Sequence, residues 1–395
     1  MSSLSPPPVP MELHAVNRRK LCDSLRPHLS SSDRPLDGFV LLQGGEEKNR
    51  YCTDHAELFR QESYFAYLFG VREPDFYGAI DIGSGKSILF IPRLPDDYAV
   101  WLGEIKPLSH FKETYMVDMV YYVDEIIQVL SEQFKGSGKP LLYLLHGLNT
   151  DSGNLSKPAS FEGIEKFETD LTTLHPILAE CRVIKSSLEL QLLQFANDIS
   201  SEAHVEVCYD FLSIFFLLNY LFPFPNAMLR EMNKLLTMFF SIHLKVMRKV
   251  TPGMKEYQME SMFLHHTYMY GGCRHCSYTC ICATGDNRPK EPGLKSLRTA
   301  RDLLEGMVIT VEPGCYFIKA LLIPAMENAK TSKFFNRETI ERFKNIGGVR
   351  IESDLVVTAN GCKNMTNVPR ETWEIEAVMA GGSWPPVTTG NNTTK

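Results

Sequence analysis

No run of lysines or arginines stands out in this chain, and its 41 basic residues are outnumbered by 47 acidic ones, for a formal net charge of −6. That balance leaves no electrostatic footprint for a phosphate backbone, so nucleic acid is not an expected partner. The opening stretch MSSLSPPPVPMELHAVNRRK is proline-rich and polar and has no apolar run of the kind a secretory leader needs. Without a leader, the ten cysteines are expected as reduced thiols in a cytoplasmic chain. The sequons at Asn154, Asn364 and Asn392 then read as chance matches. Phosphate chemistry is excluded by a further absence. The run GSGKS at residues 83–87 imitates the end of a P-loop, but the glycine required five residues before Gly85 is Ile80. The run lies between two strand patterns and reads as a hairpin turn. His146-Gly147 in LLHGLNT has no second histidine and reads as the cap of a buried strand.

What is present is ordinary globular material: 395 residues, 44% hydrophobic and 22% charged, enough for two or three domains at ~150 residues each. Residues 1–11 form a disordered lead and 382–395, GGSWPPVTTGNNTTK from Gly381 on, a disordered tail. Residues 12–180 read as an α/β domain. The helical pattern MELHAVNRRKLCDSLR is followed by the strand candidates FVLLQG, FYGAIDI, SILFIPR and PLLYLLHG, separated by turn residues. From 181 the texture changes: CRVIKSSLELQLLQFANDISSEAH enters a helix with Ser186 and Glu189 as a capping box and Leu188, Leu192, Phe195 and Ile199 along one face. A second domain over 181–381 follows.

Residues 208–246 interrupt it. This stretch is crowded with Phe and Leu, has no clean period, and is uncharged from Phe211 to Leu229. That length raises a membrane span, but Asn219, Pro223, Pro225 and Asn226 break it. It reads instead as an atypical apolar insertion, or as an amphipathic surface segment, exposing more apolar area than a soluble monomer tolerates well. Beyond it, TPG at 251–253 is a turn, MKEYQMESMFLHHTYMY is a helix closed by Gly271-Gly272, and SYTCICATG is a strand.

The chemistry is carried by VITVEPG and GGVRIESDLVV. Each sets a glutamate, Glu312 or Glu352, at or within an apolar β run. A carboxylate buried there is costly unless it is paired or bound to metal. Arg298, Arg301 and Arg350 are possible ion-pair partners, and two such glutamates are a more specific pattern than one.

At these residues the chain resembles the prolidase family, the Xaa-Pro dipeptidases among the pita-bread metallopeptidases. The likeness runs through LLQGGEEKNRYCTDHAELFRQESYFAYLFGVREPDFYGAIDI, ECRVIKSSLELQLLQFANDISSEAH, RHCSYTCICATGDN, EPGLKSLRTARDLLEGMVITVEPGCYFI and GGVRIESDLVV. It implies an α/β aminopeptidase P-like first domain, with a mixed sheet flanked by helices, and an α+β pita-bread second domain, here incomplete. It also implies hydrolysis of dipeptides ending in proline, a homodimer, and two divalent ions, usually Mn2+, that turn a bridging water into a nucleophile. Such ions suit carboxylate ligands. The resemblance assigns Glu312 and Glu352 as metal ligands. It assigns His275 to the developing tetrahedral intermediate, Arg298 to the dipeptide's terminal carboxylate and Arg350 to ordering the site. Trp101 corresponds to a tryptophan near the partner subunit's site.

The departures from the family pattern bear directly on function. The family carries two aspartates and a ligand histidine in a long segment after the CICATGDN-like strand; here CICATGDNRPK runs straight into EPGLKSLRTAR, with the junction between Lys290 and Glu291. Three of five ligands are therefore expected to be missing and the chain to be inactive or nearly so. A frame-preserving loss with a frame-preserving insertion is the pattern of an alternative isoform or a gene-model error. Such a chain could still dimerise with a full-length subunit. A rival reading takes Cys273, His275, Cys276, Cys280 and Cys282 as a zinc module, although a single CxxC lacks the second pair that structural zinc sites join.

Overall fold

The computed structural model describes residues 5–32, 34–149, 152–206, 256–276, 302–343 and 348–385. They fall into two compact units, Val9–Leu188 and a second beginning at Glu189. The insertion at 208–246, the TPG turn, the SYTCICATG strand and the tail beyond residue 385 lie outside the described residues.

In the first unit each strand candidate is a strand: β1 (Phe39–Gln43), β2 (Tyr77–Asp81), β3 (Ser87–Ile91) and, later, Leu141–Leu144. Two more strands had no clear sequence signal, β4 (Met119–Tyr122) and β6 (Glu168–Asp170), with Leu141–Leu144 as β5 between them in the chain. The order is β4-β3-β2-β1-β5-β6, so the two unread strands are the edges. Edge strands are short and half-exposed and need no continuous apolar run. β1 pairs antiparallel with β2 and parallel with β5, giving the mixed sheet expected of the α/β domain.

Alternation along β1 sends Val40 and Leu42 to one face and Phe39 and Leu41 to the other, and all four are buried. The first face receives Leu21, Leu25 and Leu29, four residues apart on the helix Glu12–Ser31. The second receives Ile126, Val129 and Leu130 of the helix Ile126–Gln133. Burying each such side chain stabilises the fold by roughly 1.5–3 kcal/mol, which is why these strands read as unbroken apolar runs. The same first helix also carries a polar stripe. Asn17 donates to the Tyr67 carbonyl and Arg18 to the Leu68 carbonyl, satisfying acceptors at the C-terminus of the helix Ser63–Phe69.

The GSGKS run is the β2–β3 hairpin turn. One Asp81 carboxylate oxygen accepts from the amides of Gly83 and Ser84, and Gly85 takes a positive φ of 77°. The amides a phosphate would need are thus engaged by an internal carboxylate. His146 lies just past β5, with Nδ1 3.2 Å from the Ser156 carbonyl oxygen.

In the second unit the helix Ser187–Glu206 packs on the helix Glu256–Met269: Ile199 and Ala203 are fully buried and His204 stacks edgewise on Phe263. Gly271 closes the latter helix, its amide bonding to the Thr267 carbonyl at 3.1 Å. The unit also holds the helix Thr372–Met379, a two-stranded ladder of β8 (Gly314–Tyr316) with β9 (Gly348–Arg350), and a three-stranded sheet in the order β11 (Gly361–Asn364), β10 (Ser353–Thr358), β7 (Val308–Val311). Asn197 and Ser201 of the first of these helices accept from the Thr366 hydroxyl and the Asn367 amide, tying that helix to the chain after β11. Among the described residues no helix is long and apolar enough to cross a membrane.

One polar junction in the first unit is open to test. Asp170 at the end of β6 is buried; it accepts from the Thr172 and Thr173 amides and the Thr173 hydroxyl and pairs with Arg34. Burial raises its pKa, and these partners more than reverse the effect, leaving the carboxyl at about 2. A folded-state value below the unfolded one, near ~3.9, makes its stabilisation complete above that pH and lost as pH falls through about 2. Asp170→Asn is expected to lower stability by about 1–3 kcal/mol at neutral pH, with the gap from the native chain closing in acid. Denaturant unfolding at several pH values measures this, and a gap independent of pH would contradict it.

Candidate functional site

β7 (Val308–Val311) pairs antiparallel with β10 (Ser353–Thr358), Val311 opposite Ser353 and Val308 opposite Val356. β8 (Gly314–Tyr316) pairs with β9 (Gly348–Arg350), Gly314 opposite Arg350 and Tyr316 opposite Gly348. The two ladders share one register. Continued across the gap between them, that register sets Glu312 opposite Glu352 and Pro313 opposite Ile351. The Ile351 amide donates to the Pro313 carbonyl at 2.9 Å and keeps the chains in step. The return bond cannot form because proline has no N–H, and the ladder is interrupted at that point.

Directly opposed residues carry their Cβ atoms roughly 4.5–5.5 Å apart on one face, and like charges so placed repel. The neighbours on that face supply the compensation. Arg350 is two residues from Glu352, hence on the same side, and its Nη1 donates to Glu312 Oε2 at 3.0 Å. The Thr310 hydroxyl donates to Glu312 Oε1 at 2.7 Å. The Arg350 guanidinium also lies 5.6 Å from the Tyr316 ring centroid, and the Tyr316 ring lies along Gly314, in space that any Cβ there would fill. Arg370, just before the helix Thr372–Met379, donates to the Glu352 carbonyl oxygen at 3.2 Å.

One expectation needs correction. Glu312 and Glu352 are not buried within strands: Glu312 follows the end of β7 and is exposed, and Glu352 lies between β9 and β10, partly exposed. Both lie in the break between the two ladders rather than inside either. The salt bridge foreseen for a single glutamate forms with Arg350, one of the three arginines considered.

His275 lies exposed in the irregular stretch after the helix Glu256–Met269. Arg298, Arg301, Cys280 and Cys282 lie outside the described residues, and so does the side chain of Trp101, in the short helix Ala99–Leu102. Among the described residues no three His, Cys, Asp or Glu side chains gather into a set that could hold a metal ion. Cys273, His275 and Cys276 are therefore not a zinc cluster by themselves. Sequence reading missed Arg370, Thr310 and Tyr316; the only signal for the last two was their even spacing from Glu312 along one strand.

Two family models match: the aminopeptidase P N-terminal domain over residues 14–143 and the metallopeptidase family M24 over residues 288–359. The Xaa-Pro dipeptidase of Homo sapiens is 36% identical to this chain, over 94% of each. The chain belongs to the Xaa-Pro dipeptidase family. The Rattus norvegicus Xaa-Pro dipeptidase is similar to the same degree, 36% over 94% of each chain. A probable Xaa-Pro aminopeptidase of Pyricularia oryzae is 24% identical over 89% of this chain and 94% of its own. Solved structures with the same fold include aminopeptidase P of Escherichia coli in a low-pH form and proline aminopeptidase P II of Yersinia pestis. Each has 18% identity and a TM-score of 0.61; they cover 95% and 94% of this chain and 99% and 100% of their own.

The human Xaa-Pro dipeptidase alignment extends over 511 positions, whereas this chain has 395 residues. More than a hundred of those positions therefore face no residue here. M24 membership implies a divalent metal cofactor. The described donors do not fit a pair of such ions: the carboxylates number two, and one of them is held by a guanidinium.

The Arg350–Glu312 pair is partly exposed, with side-chain exposures of 41% and 33%. Its worth is accordingly small. Arg350→Gln is expected to lower stability by about 0.2–1 kcal/mol, and by less at high salt. Adding Glu312→Gln to that variant should recover part of the loss by removing one of two facing negative charges. Chemical unfolding at low and high ionic strength checks both; a loss of several kcal/mol, unaffected by salt, would contradict this reading.

Proposed function

We propose that this chain is a catalytically silent member of the Xaa-Pro dipeptidase family. It keeps the family's fold and holds Glu312 in an ion pair with Arg350 beside Glu352, rather than holding both glutamates as ligands of a dimetal centre. The observation that carries this reading is the Arg350–Glu312 contact beside Glu352 on one sheet face. In the family pattern, two manganese ions held by five side chains lower the pKa of a bridging water. In this reading Glu312 and Glu352 are the family's two glutamates, while the two aspartates and the histidine belong to a segment absent between Lys290 and Glu291. Two adjacent carboxylates cannot fix two ions in a set geometry. Without the ions, the substrate-side roles assigned to His275 and Arg298, and the site-ordering role assigned to Arg350, have no activated water to serve.

The test is hydrolysis of Gly-Pro in the presence of manganese, with the bound metal measured on the same purified chain. The expected result is kcat/KM lower by at least about 10³-fold than in a complete family member, with bound manganese well below one ion per chain. Turnover within about tenfold of a complete member would overturn the proposal.

A second reading is favoured by the first unit. Its six-stranded sheet is whole, and Tyr98, Val100 and Leu102, flanking Trp101, are exposed. In the cytoplasm, where the thiols stay reduced, such a unit could pair with a full-length subunit and deprive it of a working partner. A tagged full-length subunit co-expressed with this chain should then co-purify with it; recovery of homodimers alone would remove this reading.

A further inference from the structure

The turn that joins β10 to β11 carries Asn360 followed by Gly361, at the opposite end of β10 from Glu352. Thr358 pairs with Gly361 and closes a two-residue loop of Ala359 and Asn360, all of them exposed. β11 is an edge of the order β11-β10-β7, and its four residues are exposed. The last pair of an exposed edge ladder opens at little cost, so the Gly361 amide is within easy reach of solvent. Nothing lies within 4 Å of where a Cβ would stand on Gly361, and its φ of 150° is one that residues with side chains rarely adopt. Among the described residues the Asn360 side chain makes no hydrogen bond to the protein. The exposed Asn328 and Asn336 differ, since their side-chain oxygens accept from the Lys330 and Thr339 amides. Asp37-Gly38 is a comparable dipeptide in a closed setting: Gly38 is buried, and a Cβ there would stand 2.8 Å from the Leu141 carbonyl oxygen.

We propose that Asn360 is a modification site, deamidated without an enzyme through a cyclic imide formed with Gly361. In the first step the Gly361 backbone nitrogen attacks the side-chain carbonyl carbon of Asn360. A C–N bond forms, the bond from that carbon to the side-chain nitrogen breaks, and the nitrogen leaves as ammonia with the proton of the Gly361 amide. In the second step water adds to the imide and opens it at one of its two carbonyls. Opening at the side-chain carbonyl gives aspartate in an unaltered main chain. Opening at the main-chain carbonyl gives isoaspartate, whose main chain runs through the former side chain and is one carbon longer. The carboxamide and water become a carboxyl group and ammonia, so no oxidant and no cofactor takes part. Nucleophile and carbonyl sit on adjacent residues, which makes ring closure intramolecular and spares the entropy of bringing two molecules together. Either product sets a new negative charge at the turn. Isoaspartate also lengthens the hairpin just before β11, against the register that holds Leu355 opposite Asn364.

The experiment incubates the full chain in neutral buffer at physiological temperature, with circular dichroism followed to show that it stays folded. Samples are digested, and the peptide that carries Asn360 is read by liquid chromatography and mass spectrometry. The expected result is a growing pair of products of equal mass, aspartate and isoaspartate, in which –OH replaces –NH2. Conversion at Asn360 is expected to be at least about tenfold faster than at Asn328 and Asn336, which precede Ala329 and Arg337. It is also expected within about tenfold of the rate in a free synthetic peptide of the same hairpin sequence. A folded chain slower than the free peptide by more than that margin, or one that converts Asn360 no faster than the other two asparagines, would overturn the proposal. All these rates are read on the native sequence and do not depend on how a variant folds.

Discussion

Two like charges set directly across an antiparallel pair must be separated, neutralised or bridged. In the second unit that requirement falls on Glu312 and Glu352, brought face to face by one register that continues through two short ladders. Arg350, on the same face, pairs with Glu312 and offsets one of the two charges. The surrounding contacts follow from this requirement. Thr310 holds the other Glu312 oxygen, Tyr316 flanks the guanidinium in the space Gly314 leaves, and Arg370 holds the Glu352 backbone. Pro313, with no N–H, leaves one ladder bond unmade beside the acidic pair.

The fold was legible wherever burial is two-sided. FVLLQG, FYGAIDI, SILFIPR and PLLYLLHG are central strands covered on both faces, and two-sided burial writes continuous apolar runs into a sequence. MVYY and ETD were not legible, because edge strands are short and half-exposed and compose no pattern. The GSGKS turn was legible through an absent glycine, and Asp81 supplies the physical reason: its carboxylate holds the amides an anion would seek.

The acidic pair was singled out in the sequence, but its environment was less legible. Glu312 and Glu352 stood out because acids inside apolar β runs are expensive. Their exposure was not foreseen, since local hydrophobicity does not report that both lie between two short ladders rather than inside one. Their being face to face depends on register, which two separated sequence segments do not encode without the pairing. The cation among them was foreseeable as one of three arginines, and only the period of two along β9 singles out Arg350.

The central claim is that the carboxylate pair is satisfied without metal. Its most direct test is the thermal midpoint of the chain in excess manganese against the same chain in chelator. A ligand that binds the folded state alone must raise its stability, by ~2.7 kcal/mol at a hundredfold excess over its dissociation constant. The account predicts coincident unfolding curves. A manganese-dependent rise of several degrees, abolished by Glu312→Gln, would contradict it.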